Sequence, residues 1–151
     1  MSTSRTVPAG HTAGSTIDPD SEIAWFEAGE IVPQDFDHEA HVRMGWCYLQ
    51  RYPAAIAISR FTAALRSLTV RLGVPQKYHE TVTWFFMILI AERIAGSQPA
   101  DWQSFRDDNP DLVKSAAALL ECHYSKARLA SEHARRCFVL PDLVPRSETT
   151  A

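Results

Sequence analysis

Histidines are the side chains of this chain best suited to chemistry near neutral pH, because imidazole titrates at about 6.5 and its neutral form is also a metal ligand. His38 and His41 stand three residues apart, so both rings fall on one face of a helix, and that face continues through Gly45, Tyr48 and Leu49 toward an apolar interior. His79 falls on the first turn of a later helix with Glu80 beside it, as Glu39 stands beside His38. A metal ion needs neutral imidazole nitrogens converging from at least two elements, and the positive end of a helix dipole disfavours the protonated ring. His38, His41 and His79 are therefore the candidate ligands of one Fe, Mn, Cu or Zn ion. Three nitrogen ligands leave open positions for water, oxygen or substrate, the arrangement of catalytic sites. Glu80 is the candidate base and Tyr124 a candidate hydrogen-bond donor, while Glu80, Glu39 or His123 would complete the coordination shell. Small Gly45 is expected to leave room for a bound molecule below His41.

A histidine on an apolar face is more often a hydrogen-bonded structural group than a ligand. What favours chemistry is convergence, since independent structural histidines have no reason to collect at one end of a fold. His123 also reads as the end of its helix, His133 as a solvated position, and His11 as part of a tail. Tyr48, Tyr78, Trp84, Phe85, Phe86 and Met87 read as core, and Thr81 and Thr83 as partners for backbone groups. His38-Glu39-Ala40-His41 is one residue short of the zinc-protease H-E-x-x-H. The paired Glu-x-x-His of di-iron proteins, the G-x-S-x-G elbow, the phosphate loop and the dinucleotide fingerprint are all missing.

The elements that must position these residues are helices. Residues 1–20 have scarcely a large apolar side chain and read as a flexible tail, after which Ile23, Trp25 and Phe26 form a short helix ended by Gly29 and Pro33. A first main helix starts near Asp35 or Asp37, either able to cap it, and runs to about Arg51 ahead of Pro53. The second spans about 53–72, with Ile58, Phe61, Leu65, Leu68 and Leu72 at helical spacing and Gly73 as its stop. The third spans about 77–94 and is apolar on almost every side from Val82 to Ala91, as a central helix must be. A turn over 101–107 buries Trp102 and Phe105. Asn109 and Pro110 start a fourth helix to about 124, and a fifth covers about 126–137 before an extended tail. Short connections favour an up-down order, in which the N-termini of helices one and three share one end. The expected fold is thus an all-α, single-domain, up-down helix bundle of four to five main helices over residues 21–145, with tails at 1–20 and 146–151.

Bulk composition excludes several classes. With 151 residues, a net charge of −3 and a pI near 6.0, the chain has no electrostatic footprint for nucleic acid. Three cysteines without a C-x-x-C pair suggest reduced thiols. The most apolar run, from Trp84 to Ala91, is too short to span a bilayer, and the N-terminus lacks the order of a secretory signal, so a cytoplasmic location is expected.

Three segments carry a resemblance: Phe36-Asp37-His38-Glu39-Ala40-His41, Tyr78-His79-Glu80-Thr81-Val82-Thr83 and Ser131-Glu132-His133-Ala134-Arg135. Over about residues 21–145 the chain resembles a group of small bacterial all-helical proteins that share F-x-H-x-x-H, Y-H-E-T-x-T and S-x-x-A-R segments. The resemblance implies that His38, His41, His79, Glu80, Ser131 and Arg135 belong to the group's pattern. Three functional readings follow: a metal-dependent enzyme acting on a small molecule, oxidative with Fe or Cu and hydrolytic or eliminating with Zn or Mn; a metal-free enzyme in which His79 or His41 works with Glu80; and a non-catalytic module for a small ligand or a partner helix. A homodimer is compatible with each.

Overall fold

Side-chain caps decide where most of the helices begin. Asp18 accepts from the Ser21 amide and starts α1 (Pro19–Glu27); Asp37 accepts from the Ala40 amide at 2.9 Å and starts α2 (His38–Arg51). Pro53 precedes α3 (Ala54–Arg71), which ends at Gly73, whose φ of +71° is left-handed and suits glycine. The computed structural model describes residues 16–143; the expected tail over 1–15 and the residues from 144 on lie outside them. Because α1 begins at Pro19, the expected N-terminal tail is shorter than 20 residues at its C-terminal side.

The third main helix is displaced from its expected start. Pro75–Lys77 forms a single 3-10 turn, Tyr78 is extended, and α4 (Glu80–Ser97) starts three residues later than the pattern suggests, with His79 as its cap. The turn at 101–107 is a true helix, α5 (Trp102–Asp108), capped by Asp101. The fourth and fifth expected helices are each broken at a serine. Ser115 separates α6 (Pro110–Lys114) from α7 (Ala116–His123), and Ser131 separates α8 (Lys126–Ala130) from α9 (Glu132–Arg136). Among the described residues there is no strand, and no helix is long and apolar enough to cross a membrane.

α2 contacts α1, α3, α4 and α6, and α3 also packs on α4. Their shared core holds Phe26 stacked on Phe61 at 5.7 Å between centroids, with Tyr48 edge-on to both. The buried Tyr48 hydroxyl donates to Glu27, which also receives Arg60, so the polar tip of this core residue is satisfied at its edge. Gly45 serves this packing and does not make space for a ligand: a Cβ there would stand 2.8 Å from Met87 Sδ and 3.2 Å from Ile90 Cδ1. The absent side chain lets α2 and α4 approach closely.

A second, smaller core of Phe85, Tyr124, Ala134 and Val139 ties the C-terminal segment to the outer face of α4. Its centre is Thr81, fully buried, whose hydroxyl hydrogen is shared by the carbonyls of Ala134 at 2.7 Å and Cys137 at 2.9 Å. The same oxygen accepts from the Val139 amide at 3.2 Å. Tyr124 donates to the Val139 carbonyl, Arg128 to the Leu140 carbonyl, and Trp84 stacks on Phe138. Thr81→Val keeps the shape and removes the hydroxyl, leaving buried carbonyl groups without a donor. The expected cost is about 1–3 kcal/mol in urea unfolding, with faster proteolysis over 137–143. An unchanged midpoint and an unchanged cleavage rate would show that Thr81 does not hold this segment.

Candidate functional site

The apolar stripes of α3 and α4 do not close on each other completely. Between α2, α3 and α4, beneath the connection that carries Ile31, Pro33 and Phe36, lies a cavity of about 650 Å³ that opens to solvent. Phe61, Leu65, Leu68 and Leu72 form its α3 wall, and Val82, Phe86, Met87 and Ile90 its α4 wall. The expectation of core at these positions therefore holds for their chemistry, but several face a hollow. Its polar edge carries His38, His41 and His79, with Asp37, Thr69, Lys77, Tyr78 and Thr83.

Each of the three histidines has a specific structural partner. His38, the first residue of α2, donates through Nε2 to the Leu112 carbonyl at 2.8 Å and packs edge-on to Phe86. Leu112 lies in the last turn of α6, where carbonyls lack intrahelical partners. Arg93 sets that turn in place by gripping Asp111 with both terminal nitrogens and Asn109 with one. His41 donates through Nδ1 to the Asp37 carbonyl at 2.7 Å, and Phe36 lies over its ring at 4.0 Å between centroids. His79 uses both nitrogens: Nδ1 accepts from the Val82 amide at 3.3 Å as the α4 cap, and Nε2 donates to the Leu129 carbonyl at 2.8 Å.

Because a carbonyl only accepts, these bonds fix where each ring carries its hydrogen. The lone pair of neutral His38 is on Nδ1 and that of neutral His41 on Nε2, and neither atom has a partner among the described residues. Both sites on His79 are occupied. A metal ion at this edge would thus find at most two imidazole nitrogens. Among the described residues, no group of three or more His, Cys, Asp or Glu side chains is placed to hold one.

The other candidates lie away from the cavity. Glu80 is the hub of a separate knot: Arg66 pairs with its Oε2, the Tyr78 hydroxyl donates to the same oxygen at 2.8 Å, and Trp84 Nε1 donates to Oε1 at 2.6 Å. Glu39 accepts from Arg106. His123 donates to the Leu119 carbonyl beside Phe85, and Tyr124 belongs to the second core. Of the residues singled out by type and spacing, the structure brings His38, His41 and His79 to one cavity and places Glu80, Glu39, His123 and Tyr124 elsewhere. What spacing did not reveal were Phe36, Thr69 and Thr83. The only sequence signal for the two threonines was polarity inside apolar stripes.

Burial is the main influence on His41, disfavouring its charged form and holding its pKa below the ordinary 6.5. The Asp37 carbonyl and carboxylate act in the opposite sense, and the neighbouring His38 adds a small further depression. The ring is therefore neutral at pH 7, with its lone pair on Nε2. Comparison of the chain with protein-family models, with curated proteins and with solved structures finds no match.

Between the lowered His41 pKa and 6.5 the folded chain binds fewer protons than the unfolded chain, so stability rises with pH through that window. Its contribution is complete above 6.5 and is lost as pH falls toward the folded value. Urea unfolding at about pH 5 and pH 7.5 should show a smaller difference for His41→Phe than for wild type; an equal difference would place the titration elsewhere. His79→Ala removes a cap, at about 1 kcal/mol, and strands the Leu129 carbonyl, at about 1–3 kcal/mol. Asn caps equally well but cannot reach Leu129, so His79→Asn should recover only the first part. Full recovery by Asn would mean that the bond to Leu129 contributes nothing.

Proposed function

We propose that the protein binds a small, largely apolar molecule in the cavity between α2, α3 and α4, with the His38 and His41 rings meeting its polar end. The observation that carries this reading is the combination of a hollow of about 650 Å³, within the range of ligand pockets, and apolar walls broken by two imidazoles that each retain an unshared lone pair. The histidines' other nitrogens are anchored to main-chain carbonyls, so the rings are pre-oriented and lose little freedom on binding. Glu80, held by Arg66, Tyr78 and Trp84, supports the wall by fixing the start of α4.

A neutral, environment-sensitive dye, N-phenyl-1-naphthylamine, provides the test. One molecule per chain is expected to bind with increased emission. Filling the hollow with Val82→Phe, or separately Leu68→Phe, should weaken that binding at least about tenfold, since overpacking leaves no room, while circular dichroism keeps the helical signal. Binding should be the same with a chelator present; loss in chelator would instead point to an ion at His38 and His41. Equal affinity in wild type and both filled variants would place the dye outside the cavity and end this reading.

A further inference from the structure

The hydrogens on the cavity's polar edge are nearly all committed, and this restricts what can bind. His38 and His41 each give their ring hydrogen to a main-chain carbonyl. Thr83 donates to the His79 carbonyl at 2.8 Å, Thr69 to the Arg66 carbonyl at 2.8 Å, and Tyr78 to Glu80 at 2.8 Å. What these groups still offer is oxygen and nitrogen lone pairs. Lys77, exposed at the end of the 3-10 turn, is the remaining side-chain donor, and a flexible ammonium keeps its charge in water.

Resting on the reading that the cavity binds an apolar molecule, we infer that its ligand is a neutral hydroxyl compound, an alcohol or phenol, whose one O–H donates to the lone pair of His41. An ether or ketone of the same shape has no hydrogen to give and would leave that nitrogen unpaired. A carboxylate would set its own lone pairs against the ring's. An ammonium has hydrogens, but it would bring its charge to an edge from which α2 and α4 both start, and a helix start repels positive charge. Of these groups, the hydroxyl alone brings a hydrogen to the acceptor without importing charge. Burial of His41 in its neutral state agrees with this, because protonation would turn that acceptor into a donor.

Calorimetric titration of the full chain at about pH 7.5 with four ligands of one body, 1-decanol, decyl methyl ether, decanoate and decylammonium, separates the alternatives. Decanol is expected to bind tightest, the ether about tenfold weaker, the loss of one hydrogen bond, and the two ions about a hundredfold weaker or more. In His41→Phe the alcohol and ether should converge, and for the wild type the alcohol's advantage should shrink as pH falls through the lowered His41 pKa. Ether binding equal to decanol would overturn the hydroxyl inference while the cavity reading stands. Preference for decanoate would overturn it in favour of Lys77, and preference for decylammonium would overturn it in favour of Asp37. No binding by any of the four would count against the cavity reading itself.

Discussion

A neutral imidazole has one hydrogen to give and one lone pair to receive with, and both the architecture and the candidate site turn on how three such rings divide these capacities. His79 spends both on structure, capping α4 and holding α8. His38 and His41 spend only their hydrogens, one on α6 and one on the start of their own helix. The difference arises because the helix cap needs an acceptor and the stray carbonyls need donors, while the cavity demands nothing. Two lone pairs are left over where α2 borders the hollow.

The same anchoring explains how the C-terminal third of the chain stays folded. α6, α8 and α9 have five residues each, far below the length of about 12–15 at which a helix stands alone in water. Each therefore depends on a tertiary clamp: Arg93 on Asn109 and Asp111, His79 on Leu129, and Thr81 on Ala134 and Cys137. Arg135 adds a bond to the Gln76 carbonyl, and Ser131 caps α9 while donating to Arg128. The segment from Tyr78 to Trp84 thus serves two faces at once. His79 and Thr83 border the cavity, while Glu80, Thr81 and Trp84 grip α3 and the C-terminal segment.

Local signals made much of this legible. Asp37 as a cap, Pro53 before α3, Gly73 after it and the Phe61-Leu65-Leu68 stripe are properties of neighbouring residues, and each marks what it should. The misplacements have a common cause in distant partners. Residues 77–79 continue a helical pattern, but His79 is held in an extended cap by the Val82 amide and by Leu129, fifty positions away. The breaks at Ser115 and Ser131 interrupt runs of good helix formers, and the clamps on α6 and α9 come from distant residues that no local pattern announces. Gly45 was legible as small and not as close contact, because Met87 and Ile90 belong to another helix. Likewise, the spacing of His38 and His41 shows that they share a face, but which nitrogen each keeps is set by Leu112 and by the Asp37 main chain.

An open apolar hollow is unfavourable in itself, since Leu72, Val82 and Phe86 along it stay partly in contact with water that closer packing would exclude. A larger side chain at Val82 or Thr83, both on its lining, would cover part of that surface. The chain instead keeps small and β-branched residues there and fixes two histidines at the edge through bonds that draw on α6 and on the α2 cap. Partly exposed apolar surface beside imidazoles anchored through one nitrogen is what the proposed occupant, a molecule with an apolar body and one hydrogen to donate, would cover and pair.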